Sequence, residues 1–395
     1  MTDTELLKRY SPYLQYDSFE SFRADSAAVL TDHFLDDGAA WSHTNTLKRS
    51  GGSVLAAARP RPGQVKLELA LLGAKHYANG ATVRRGDYLD AVGREYVADA
   101  RRMHAEARYA DRIYGHAVRD SSGAIWLQYW FSYYYNNKNF LGIGLHEGDW
   151  EMIQIRLGRT GTPTVATFAQ HNTGEAFTWS QLELRSLRSG PVPVVYVGRG
   201  SHALFASSGT HWPLPFPVPP DYANGKGPRV RPALEVITDN GPGWALWPGK
   251  WGSSDSSPRG PVDKGQWSDP AGFHEEVGGS LTRARPRPRA VPAAPPPAPP
   301  APKIKVRRVE DRALVEYSFP KTATGAALPE QLVVSVDSPD DDLPPSTQAF
   351  DVKARTGAVV HPTRLADKRY VVQVVAYSEK GMESEAVSAK LARPR

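Results

Sequence analysis

The sequence predicts a mainly β protein: a large β-sandwich domain with helical insertions, followed by a second, smaller β-sandwich. Three observations carry that expectation. Bulky residues alternate with period two over 124–135, the signature of a strand. The 395 residues include 10 Trp and 17 Tyr, residue types that favour pleated, half-buried surfaces. A proline- and arginine-rich stretch at 281–302 divides the chain.

Taken in order, residues 10–17 predict an edge strand and turn, 17–35 carry short alternations, and 67–72 form an apolar run. Residues 87–104 predict a helix. Asp87 is its cap, Val92, Tyr96, Ala100 and Met103 are its apolar stripe, and Arg94, Glu95, Asp99 and Arg102 face water. Residues 112–119 alternate, 120–123 turn, and 124–135 run back as the second arm of a hairpin. Trp126, Gln128, Trp130, Ser132 and Tyr134 share one face of that arm, and Ile125, Leu127, Tyr129, Phe131 and Tyr133 share the other. Bulk on both faces predicts a central strand covered on both sides. Strands are further expected at 150–157, 165–168 and 192–197.

The proline-rich stretch lacks amide donors and favours extended backbone, so it reads as a spacer between a domain at 1–280 and one at 303–395. In the latter, strands are expected at 304–306, 313–317, 332–336, 350–352, 370–377 and 385–390. Its length, its 370–377 strand and the Lys380-Gly381 turn resemble a fibronectin type III domain. That likeness implies adhesion, spacing or presentation, with no chemistry of its own.

Composition narrows the classes. An apolar share of 40% suffices for folded domains. The formal charge is +6, partly from Arg283, Arg285, Arg287 and Arg289, a patch read as a solvated basic linker in preference to a nucleic-acid contact. Without cysteine, disulfides, thiolate ligands and cysteine nucleophiles are excluded. The start of the chain lacks the apolar core of a signal peptide, and no run approaches the ~20 apolar residues of a membrane span. A cytoplasmic location is therefore expected, with non-classical export left open. Heavy use of Gly, Pro, Ala and Arg suits a GC-rich bacterial gene. Phosphate-binding loops, dinucleotide fingerprints and zinc-finger spacings are absent.

The chemistry-bearing stretch is Gly144-Leu145-His146-Glu147-Gly148-Asp149-Trp150-Glu151. If a strand begins near 150, Glu151 shares a face with Ile153 and Ile155, and Asp149 points the same way. Carboxylates in an apolar row are costly unless paired or metal-bound. His146, Asp149 and Glu151 are therefore candidate ligands of a divalent cation, Mg²⁺ or Ca²⁺ first, with Mn²⁺ or Zn²⁺ next. Glu147 is a candidate base. The alternative is pairing with nearby arginines or backbone groups. A second cluster, residues 196–202, offers Arg199 for an anionic group and His202 for proton transfer or metal ligation, against a purely structural hairpin end. Ser201 lies in no Gly-x-Ser-x-Gly elbow. His171, Trp130, Tyr134 and Trp251 are assigned to ligand contact, with core packing as the alternative for the aromatics.

Residues 127–131 with 133–137, then 146–151, then 199–203, in that order and flanked by 10–17 and 251–261, resemble the vacuolar protein sorting 62-related family over about residues 8–279. A more distant resemblance is to the necrosis- and ethylene-inducing toxin-like proteins. Their Gly-His-Arg-His-Asp-Trp-Glu motif sits on a β-sandwich and holds a divalent cation. The resemblance implies that His146, Asp149 and Glu151 are metal ligands. An upstream Asp ligand of that family has no counterpart at Asn136-Asn137-Lys138-Asn139, and Gly148 replaces the second His.

Two main functions are expected from these residues. The first is a metal-dependent hydrolase of a phosphoester, glycan or lipid headgroup, with Glu147 or His202 as base and Arg199 on the anionic group. The second is a cation-assisted protein that binds a glycan or membrane headgroup without catalysis. In a third, structural reading the ion merely clips two loops together.

Overall fold

The alternation at 124–135 produces the centre of the molecule. In the computed structural model, Ile125–Asn136 is a strand buried along nearly its whole length, paired antiparallel with Arg112–Arg119 on one side and His146–Leu157 on the other. The structure describes residues 1–35, 42–92, 96–138, 145–212, 220–279, 299–320, 328–329, 331–338, 346–377, 384 and 387–392. Most of the 281–302 spacer, its arginines and the Lys380-Gly381 turn lie outside the described residues. The chain divides into two units, Met1–Arg287 and Pro288–Arg395.

In the first unit a six-stranded sheet runs Thr173–Thr178, Pro163–Gln170, His146–Leu157, Ile125–Asn136, Arg112–Arg119, Ala233–Val236. A second sheet runs Leu184–Leu187, Gly190–Val197, Tyr13–Tyr16, Arg229–Val230, with Leu204–Phe205 alongside Gly190–Val197. Neither closes into a barrel. Leu14, Tyr16, Val195, Val197 and Leu204 join Tyr129, Phe131, Tyr133, Ile153 and Ile155 in one core. The other face of the large sheet carries Trp130, Trp150 and Met152, which join Trp244, Trp247, Trp251 and Trp267 in that core. Each buried tryptophan removes roughly 150–250 Å² from water, worth on the order of 4–6 kcal/mol before entropy. Buried Gln154 on this face anchors the covering segment by donating Nε2 to the Pro270 carbonyl at 2.6 Å.

Several expectations are corrected. Tyr13–Tyr16 lies between two partners, parallel to Gly190–Val197 and antiparallel to Arg229–Val230, so it is interior and not an edge. Before it, Asp3–Tyr10 is a helix with a Thr2/Glu5 capping box that buries Leu6, Leu7 and Tyr10. Within 87–104, Tyr88–Val92 is a strand, and the helix is only Tyr96–Ala105. Asp87 caps nothing; it is a buried acceptor for Arg49 Nε (3.1 Å), Tyr77 Oη (3.0 Å) and Arg84 N (2.9 Å). Asp99, expected in water, is fully buried.

The second unit has one sheet ordered Lys303–Val309, Arg312–Ser318, Thr356–Val360, and another ordered Ser346–Asp351, Gln331–Asp337, Tyr370–Tyr377, Val387–Leu391. Val315, Leu332, Val334, Val372 and Val374 form its core. Thr356–Val360 was not expected from the sequence. Among the described residues no helix is long and apolar enough to cross a membrane.

Candidate functional site

The strand His146–Leu157 starts earlier than expected, so His146 is its first residue, opposite Asn136, and not part of a turn. Asp149 lies opposite Tyr133 and Glu151 opposite Phe131. Period two puts both carboxylates on the face covered by the 198–203 loop and the 17–24 segment. His202 Nδ1 is 2.9 Å from Asp149 Oδ2. Its ring stacks on Tyr133 with centroids 4.0 Å apart and meets the edge of Phe22. Nε2 faces Glu20 Oε1 at 3.6 Å, a charge contact too long for a hydrogen bond. Glu20 is tied down by Gly200 N (2.6 Å) and Phe22 N (2.7 Å). Asp149 also accepts from Trp150 N (2.9 Å) and Asn136 Nδ2 (3.3 Å). His202 holds a φ of 55°, a conformation uncommon outside glycine.

The electrostatics follow from this sandwich. Burial works against a charged His202 ring, but Glu20 and Asp149 outweigh it and push the pKa up to about 9. Burial likewise opposes the Asp149 charge, yet the His202 bond, helped by His146 and Lys264, holds that carboxyl below the usual range. Glu151 goes the other way: burial first, then the neighbouring Asp149 charge, raise it well above the usual range. His202 is thus favoured as an imidazolium, and both of its ring nitrogens face carboxylates, Asp149 and Glu20. A linkage prediction arises here. The folded pKa lies above the ordinary 6.5, so the stabilisation is complete below pH 6.5 and disappears as pH rises toward about 9. In chelator, unfolding free energy is expected to fall by roughly 3 kcal/mol over that window, with Glu151 pulling in the same direction. Urea titrations at stepped pH check this; a His202→Gln variant with the same slope would refute it.

The other expected site residues are dispersed. His146 points Nδ1 at its own strand's Gly148 carbonyl, 2.7 Å away. Its ligand atoms do not gather with those of Asp149 and Glu151. Glu147 is no free base: it accepts from Tyr96 Oη (2.7 Å), Ala91 N (3.1 Å) and Ser253 N (3.2 Å). Trp130 and Trp251 are fully buried and Tyr134 nearly so, which corrects their assignment to ligand contact; the aromatic pattern marked core. The Arg199 guanidinium lies over the Phe19 and Tyr222 rings at 5.6 and 5.2 Å. His171 joins a second cluster, with Nε2 2.8 Å from Asp221 Oδ2. Asp221, its side chain fully buried, also takes Lys138 Nζ at 2.7 Å and the Ser201 hydroxyl.

Sequence reasoning missed Glu20, Asp221 and Lys138, because no local motif ties them to residues so distant in the chain. It also missed the set whose ligand atoms do converge. Asp25, His104 and Asp111 each offer an atom within 4.8 Å of the others, and among the described residues this is the group of three or more that does so. Asp25 Oδ1 lies 2.9 Å from His104 Nδ1 and also accepts from Asp111 N at 2.8 Å. With Asp25 buried and the other two half-buried, the cluster can coordinate a divalent ion.

No family profile and no curated protein matches the chain. Among solved structures, it is similar to "Toxin fold for microbial attack and plant defense" (9% identity, 70% of this chain and 90% of that one, TM-score 0.31). It is similar to "NLPPya in complex with glucosamine" (10%, 70% and 91%, TM-score 0.32). A shorter match, "Myokine structure", has 22% identity over 25% of this chain and 100% of that one (TM-score 0.21). Likenesses this shallow transfer neither a site nor a ligand.

Proposed function

We propose that the large unit is a divalent-cation-assisted binding protein for a glycan or headgroup ligand, working without catalysis. The observation that supports it is a charge imbalance beneath the 198–203 loop. Glu20, Asp149 and Glu151 put three buried carboxyl groups around the one buried imidazole of His202, with Lys264 acting at longer range, and the Asp149 charge helps hold Glu151 well above its usual range. Glu151 makes no hydrogen bond or ion pair among the described residues. A cation held by Asp149 and Glu151 would relieve that imbalance and leave coordination positions for ligand oxygens. Hydrolysis is the weaker reading, because both expected bases are already occupied. The second unit, in this reading, is a fibronectin type III-like spacer.

The test is thermal melting with Ca²⁺, Mg²⁺, Mn²⁺ or Zn²⁺ against chelator, alongside glycan-array and vesicle capture. At a cation concentration of a hundred times Kd, stabilisation of about 2.7 kcal/mol is expected. It should be lost in Glu151→Gln and kept in Asp25→Asn. The reverse pattern moves the ion to the Asp25 cluster. No cation effect on melting or capture in the wild type overturns the reading.

A further inference from the structure

We infer that the ligand carries a phosphate group, paired by Lys138 and His171 beside the acid pair; this rests on the cation-assisted reading and names its ligand class. Asp221 is the starting point. Its side chain is fully buried, and a buried carboxylate needs one cationic partner to be tolerated. It has two basic side chains and a hydroxyl: Lys138 Nζ at 2.7 Å, His171 Nε2 at 2.8 Å, and Ser201. That is more than neutralisation requires.

Neither basic group is spent on this contact. An ammonium has three N–H donors and an imidazole two nitrogens. Lys138 remains 17% exposed and His171 21%, with no second partner for either side chain among the described residues. Asp221 thus acts as a buried anchor for two partly exposed basic side chains. His171 keeps a φ of 55° in this position.

Short chain segments join this cluster to the acid pair. Ser201 directly precedes His202, and Asn137 N donates to the Gly200 carbonyl at 3.1 Å. Asn136, two residues before Lys138, donates to Asp149. The two clusters are thus tied together through 136–138 and 200–202, with carboxylates that suit a divalent cation on one side and an ammonium and an imidazole on the other. A neutral sugar uses only the first. A phosphate oxygen can bridge the cation while its neighbours take charge-assisted bonds from Lys138 and His171.

The experiment is calorimetric titration of the full chain with glycerol phosphate, with glycerol as the neutral control, in Mg²⁺ and in chelator. Vesicles containing phosphatidic acid distinguish a lipid source from a soluble phosphoester. Glycerol phosphate is expected to bind in Mg²⁺, at least tenfold weaker in Lys138→Met and His171→Gln, with glycerol silent. Because Lys138→Met strands a buried carboxylate, Asp221→Asn supplies a second arm. It frees both donors from a counter-charge and should tighten phosphate binding severalfold. Mg²⁺ binding with no phosphate response, or a response indifferent to all three variants, overturns the inference and leaves the cation reading intact. If Mg²⁺ does not bind, the titration is repeated in Ca²⁺, Mn²⁺ and Zn²⁺, and binding of none of the four by the wild type overturns both.

Discussion

His202→Ala is expected to destabilise the large unit by about 3–5 kcal/mol, the typical cost of removing one partner from a buried ion network. His202 is fully buried, and its imidazolium is the positive charge between Glu20 and Asp149. Deleting it leaves two desolvated carboxylates facing a ring-sized void against Tyr133. Urea unfolding of the variant measures the loss. Adding Glu20→Gln to His202→Ala should recover part of it, because the stranded charge is then gone. A loss below about 1 kcal/mol would place His202 among ordinary exposed pairs and refute the sandwich.

Gly148→Ala is expected to be at least as damaging, at about 3 kcal/mol or more. Gly148 has a φ of 62°, and a Cβ there would lie 2.0 Å from the Trp251 carbonyl oxygen. Gly252 answers from the other side: a Cβ on it would lie 2.3 Å from the Glu147 carbonyl oxygen. The two backbones touch, and neither can yield without breaking the Glu147–Ser253 contact. Gly161 is the control. Its φ is 75° but the space around it is open, so Gly161→Ala should cost only about 1 kcal/mol. Equal melting temperatures for the two variants would show that the close approach contributes nothing.

How far the sequence could be read depended on whether a signal was local. The hairpin of Arg112–Arg119 with Ile125–Asn136 was legible because both faces of the second arm are bulky. The same bulk misled the assignment of Trp130, Tyr134 and Trp251, since an aromatic that covers a sheet and one that awaits a ligand look alike in sequence. Asp87 resembled a cap because Asp before an apolar-periodic run usually is one; its buried ties to Arg49 and Tyr77 leave no local trace. The Thr2/Glu5 box was a local signal that went unread. Thr356–Val360 was hidden by its small residues, Gly357 and Ala358. At the site, Asp149, Glu151 and His202 stood out as costly groups beside glycines. Glu20, Asp221 and Asp25 did not, because only tertiary pairing makes them costly.

The two parallel pairings set an order on biosynthesis. Tyr13–Tyr16 finds its mate about 180 residues downstream, and Arg112–Arg119 acquires Ala233–Val236 about 120 residues later. A nascent chain therefore leaves the ribosome with its first strand unsatisfied until most of the unit has been translated. Slow, late-committing assembly is the kinetic price of such long loops. Chains truncated short of Val236 should emerge as chaperone clients and not as autonomous domains.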